Sequence, residues 1–121
     1  MKEILKKEIS LGENTRIGLF GGSFNPAHEW HFQVANHACD TLSLDKVIWL
    51  VSPHNPLKDK KTLYALKDRL ESAKKIGNSS NFIITDVEKK LKIQYSIDTI
   101  SIFQKTFTSK KFVWIMGSDN A

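Results

Sequence analysis

Gly18-Leu19-Phe20-Gly21-Gly22-Ser23-Phe24-Asn25-Pro26-Ala27-His28-Glu29-Trp30-His31 is the stretch on which fold and chemistry both turn. The apolar run 17–20 predicts a short buried strand, bounded by Gly21-Gly22. Paired glycines let the backbone turn sharply and approach a ligand closely. From about Glu29 to Leu42 the residues Phe32, Val34, Ala35, Ala38 and Leu42 give an apolar helical face, so the histidines stand where a helix begins. Amides at a helix start form an anion site. Side chains at i and i+3 share one face, so His28 and His31 can address the same phosphate. The order of strand, glycine turn and histidine pair predicts a nucleotide phosphate site.

Working outward, Asp45-Lys46 opens a second strand, 47–51, apolar throughout, and 81–85 and 112–116 read as two more strands. Runs that are apolar throughout suit strands covered by helices on both faces. Between them, a helix is predicted from Thr62 or Leu63 to Ile76, with Gly77-Asn78 as its stop. Another is predicted over 96–107, with Ile97, Ile100 and Phe103 at helical spacing and Ser96 as cap. Ser52–Lys61 and Asp86–Gln94 read as loops, and residues 1–15 as a charged N-terminal extension with a helical turn around Ile4-Leu5. Strand and helix alternate over 16–121, which predicts an α/β domain: a Rossmann-like parallel sheet flanked by helices. Ligands of such sheets sit beyond the carboxyl ends of the strands. Those ends carry Gly21-Gly22-Ser23, Ser52-Pro53-His54, Asp86-Val87-Glu88 and Gly117-Ser118-Asp119. The chain stops just after the fourth run, so the fold is expected to be incomplete at the C-terminus. The last strand then needs cover from a self-partner or a missing C-terminal segment.

Composition bounds the setting. The chain has 121 residues, enough for one domain, with 40% apolar and 26% charged residues. No apolar run approaches a membrane span, and the alternating charges of residues 1–7 are unlike a secretory signal. A single cysteine, Cys39, allows no internal disulfide, and a cytoplasmic location is expected. Net charge is +5, but the lysines are spread along the chain without an aromatic-interleaved stripe, so neither nucleic acid nor membrane is expected as a partner.

The glycine turn is not a dinucleotide fingerprint, which needs a third glycine, nor a P-loop, which ends Gly-Lys-Ser/Thr. A pair of histidines can also bind zinc, but the further ligands are lacking, so no metal site is predicted on the protein. His37 and His54 lack comparable context.

Residues 21–31 resemble the signature of the His-x-Gly-His nucleotidyltransferases. Three further segments are similar to the bacterial nicotinate-nucleotide adenylyltransferase family in particular. They are Pro53-His54-Asn55-Pro56-Leu57-Lys58, then Asp86 and Glu88 with Tyr95-Ser96-Ile97-Asp98-Thr99, and Ile115-Met116-Gly117-Ser118-Asp119-Asn120. The resemblance implies transfer of an adenylyl group from ATP to nicotinate mononucleotide in NAD biosynthesis, with Mg2+ accompanying the ATP. It implies that His28 and His31 are catalytic, contacting the ATP phosphates, and that Gly21, Gly22, Ser23 and Phe24 line the site through their backbone. Tyr95 and Ser96 would lie by the nicotinate, Lys58 by a phosphate, and Gly117 and Asp119 by a polar nucleotide group. Arg69 matches a position in the family's second helix. The alternatives are an inactive nucleotide-binding remnant or another adenylyltransferase, such as one acting on pantetheine phosphate; the 95–99 and 117–119 segments argue against the latter.

Two departures bear on activity. Trp30 stands where the family has glycine, and an indole buries roughly 150–250 Å² when packed, so a partly blocked ATP site is expected. The family also carries a C-terminal Ser/Thr-rich segment with a phosphate-binding arginine, and this sequence ends before it. Impaired turnover is the expectation.

Overall fold

The apolar runs become strands β1 (Arg16–Gly22), β2 (Lys46–Val51), β3 (Phe82–Thr85) and β4 (Lys111–Ile115). They pair in parallel in the order β3-β2-β1-β4. The computed structural model describes residues 2–53, 65–93 and 95–115. Helix α1 (Lys2–Glu8) precedes β1, α2 (Glu29–Thr41) links β1 to β2, and α3 (Leu66–Ile76) links β2 to β3. The short α4 (Val87–Lys90) and then α5 (Ser96–Thr106) link β3 to β4. No helix among the described residues is long and apolar enough to cross a membrane.

Alternation along the strands sorts side chains between two layers. Phe20, Val47, Trp49, Val51 and Ile115 pack under α2 and α3, while Ile17, Leu19, Ile48 and Leu50 pack under α1, α4 and α5. Both faces of β1 and β2 are therefore dry, which is why these runs show no polar residue in alternate positions.

Several expectations need correction. Gly21 and Gly22 do not stop the first strand; they are its last two residues, paired with Leu50 and Val51. The segment 86–94 is not simply a loop, because Val87 and Leu91, at i and i+4, are both buried and wind α4. Ser96 is not a cap: Tyr95 holds that place, with no side-chain hydrogen bond, and Ser96 is the first residue of α5. The charged N-terminal stretch forms a full helix that brings Leu5, Ile9 and Leu11 into the second layer. An exposed Glu8–Lys90 ion pair at 2.7 Å sits on its rim. Nor is β4 bare. Phe112 meets Phe103 edge-on at 5.6 Å and lies 6.4 Å from Phe107, and Ile115 is buried.

At the amino edge of the sheet, Asp45 Oδ2 accepts the backbone N–H groups of Thr15 (2.8 Å) and Arg16 (3.1 Å). These donors, Arg16 first, hold the carboxyl below its usual value.

Candidate nucleotide site

β2 and β3 lie on one side of β1 and β4 on the other, so the direction of winding reverses between β1 and β4. A crevice opens at such a reversal beyond the carboxyl ends of the strands. The segment leaving β1 there is the one that carries the histidines.

The chain turns through Phe24, whose φ of 49° lies in the left-handed region that a bulky residue rarely adopts. Its ring shows what offsets that strain. It is wholly buried, stacked on Trp49 at 5.4 Å and edge-on to Phe20 at 5.5 Å. Phe24 thus anchors the turn through its side chain, leaving only its backbone for the crevice. The Asn25-Pro26 peptide is cis, and α2 begins three residues later.

His28 is the residue before α2, and its backbone N–H donates to His31 Nδ1 at 2.8 Å. A side chain at the third helical position reaching back to the capping residue is one half of a capping box, here built from histidine. The bond also fixes the chemistry of the ring. Because Nδ1 accepts, the proton of neutral His31 resides on Nε2, which is a donor. His31 is 2% exposed, packed by Phe24 at 4.8 Å and stacked on Trp30 at 4.0 Å. His28 is exposed, and its ring lies parallel to that of His31 at 6.0 Å and 9°. The pair is therefore brought together as the spacing predicts, one ring sheltered and one open. Trp30 lies flat on the sheltered one.

The glycines serve close packing as well as turning. A Cβ on Gly21 would lie 2.8 Å from the Trp114 ring, and one on Gly22 would lie 3.3 Å from the Phe24 ring. Ser23 is half-buried, and its carbonyl accepts from Arg69 Nη1 at 3.0 Å. That arginine is almost wholly buried, so its place in α3 is structural and inward, a position that one arginine in a charged run does not advertise. Burial pulls its pKa down from the usual value.

Tyr95 and Ser96 are exposed where α5 starts. The start is fastened from α4, because buried Thr99 Oγ1 donates to Glu88 Oε2 at 2.6 Å. Glu88, quoted from the sequence only as part of a resemblance, is thus a partner that sets where Tyr95 stands. His54, Lys58, Gly117 and Asp119 lie outside the described residues.

A parallel sheet with its helix-start histidines at the reversal is the architecture of a Rossmann-like nucleotidyltransferase. In agreement, a solved structure from Vibrio parahaemolyticus, described as a "Putative Nicotinate-nucleotide Adenylyltransferase", aligns with a TM-score of 0.62. At 21% identity, over 88% of this chain and 63% of that one, the likeness establishes the fold. The cytidylyltransferase-like family profile matches residues 19–121, and the chain belongs to that family. Among curated relatives, one from Caulobacter sp. (strain K31) is 49% identical over 105 residues, covering 87% of this chain and 56% of the relative. One from Parvibaculum lavamentivorans is 43% identical over 105 residues, with 87% and 52% covered. Both are named "Probable nicotinate-nucleotide adenylyltransferase". The chain spans about half the length of the curated relatives it matches.

Proposed function

We propose that this chain carries the ATP-binding part of a nicotinate-nucleotide adenylyltransferase, working in the cytoplasm in NAD biosynthesis. A phosphate oxygen of nicotinate mononucleotide attacks the α-phosphorus of ATP. The new P–O bond forms as the bond to pyrophosphate breaks, and no covalent enzyme intermediate is needed. Such transfers rest on positioning and charge stabilisation. His31 is suited to donate from Nε2–H to a phosphate oxygen, since its Nδ1 is already engaged. His28, open to solvent beside it, donates as well and carries positive charge when protonated. Gly21, Gly22, Ser23 and the Phe24 backbone line the approach. Tyr95 and Ser96 meet the nicotinate, while Lys58, Gly117 and Asp119 meet phosphate and nucleotide polar groups.

Magnesium, when bound with the triphosphate, offsets its negative charge.

The observation that carries the proposal is the histidine pair, parallel at 6.0 Å, at the start of the helix that leaves β1. The test is pyrophosphate release from ATP with nicotinate mononucleotide, nicotinamide mononucleotide or pantetheine phosphate as acceptor. Release should depend on nicotinate mononucleotide and fall by about 10²–10³ in His28→Ala. Release with pantetheine phosphate alone, or release that His28→Ala leaves unchanged, refutes the reading.

A further inference from the structure

One turn of α3 grips the segment between β1 and α2 at both ends. Arg69 Nη1 donates to the Ser23 carbonyl at 3.0 Å and to the Ser52 carbonyl at 2.6 Å, and Nη2 donates to the Pro53 carbonyl at 3.3 Å. Three residues on, Ser72 Oγ accepts the Ala27 N–H at 3.0 Å and donates to the Arg69 carbonyl at 2.9 Å. The turn 23–27 is thus tied at its first and last residues to a single helical turn. The same guanidinium joins it to the first residues after β2.

Core packing alone gives no reason for this choice. Burying a cation costs free energy that an apolar side chain of similar size avoids. What a guanidinium adds is a rigid fork that can hold carbonyls of two loops at once, which lysine cannot do. There is also a directional consequence. In a trans peptide the carbonyl and the next N–H point in opposite directions. Holding the Ser23 carbonyl on Arg69 therefore aims the Phe24 N–H away from α3.

We infer that Arg69 and Ser72 are positioning residues that set the shape of the phosphate turn and so its affinity for ATP; this rests on the nucleotide reading above. Neither touches the reacting groups. Arg69 acts through Ser23 and the β2 loop, and Ser72 acts through Ala27, one residue before His28.

The test pairs amide hydrogen exchange on the ligand-free chain with calorimetric titration of Mg-ATP. In Ser72→Ala the Ala27 amide should exchange at least about tenfold faster, while the Ile48 and Leu50 amides in the sheet keep the parent rates. The ATP dissociation constant should rise about three- to tenfold, the range carried by one lost hydrogen bond. Ser72→Thr should restore both, and Arg69→Lys, which keeps the charge but loses the fork, should weaken ATP at least as much as Ser72→Ala. Unchanged Ala27 exchange, or a loosened turn that binds ATP as the parent does, overturns the inference alone. Absence of ATP binding by the parent chain overturns the nucleotide reading and the inference with it. Because Ser72 is only half-buried, its variants test the inference even where Arg69 variants fail to fold.

Discussion

Replacing Gly21 with alanine should destabilise the protein through a single neighbour, Trp114. The new Cβ would lie 2.8 Å from both Cη2 and Cζ2 of that ring, well inside ordinary contact, and the third-nearest atom is Cζ3 of the same ring at 3.9 Å. Overpacking of this kind costs about 1–3 kcal/mol. Trp114 is half-buried on the edge strand, so its ring can tilt, which puts the cost toward the lower half of that range. Against it stands the loss of chain freedom that alanine spares, about 0.4–1 kcal/mol. The expected net loss is about 1 kcal/mol. In a Trp114→Leu background the obstacle is gone, and the same Gly21→Ala change should be neutral or slightly stabilising. Urea unfolding of the four proteins of this double-mutant cycle should give a coupling of about 1–2 kcal/mol. Additivity within about 0.5 kcal/mol would refute the argument, because the ring would not be what meets the methyl group.

Other outcomes follow from named contacts. Asp45 has its carboxyl pKa lowered by the N–H groups of Arg16 and Thr15, so its stabilisation is present above the unfolded value and is lost as pH falls through the folded one. Asp45→Asn should therefore flatten the acid limb of a urea-midpoint profile below about pH 4, and an unaltered limb would exclude this carboxylate as its source. Thr99→Val removes the 2.6 Å donor to Glu88 and should cost about 1.5–3 kcal/mol, read by thermal unfolding; a smaller loss would mean the bond is replaced. Trp30→Gly removes the stack on His31 and puts glycine in the first turn of α2, for a loss of about 1–2 kcal/mol in urea titration. A neutral result there would show that the indole does not shelter the imidazole.

All four strands were legible because each is built around a short apolar run, and a run of that kind has few other homes in an α/β chain. The histidine pair was legible for a different reason: its spacing is a local property of a helix start. What stayed hidden depends on contacts between distant residues. Arg69 stands within Lys67-Asp68-Arg69-Leu70-Glu71, where nothing separates an inward arginine from its solvated neighbours until β1 and β2 are side by side. α4 was masked by Glu88, Lys89 and Lys90, although Val87 and Leu91 at i and i+4 carried the signal. Leu5 and Ile9, spaced likewise, marked α1 as a layer of the fold amid lysines and glutamates.

The seating of α1 has a consequence for how the protein is made. Its apolar side rests among α5 residues such as Phe103, nearly a hundred positions further along the chain. A ribosome adding about 5–20 residues per second needs roughly 5–20 seconds to cover that interval. Throughout it, Leu5, Ile9 and Leu11 have no α5 to dock on, so the α1 segment stays open to a chaperone for that whole time.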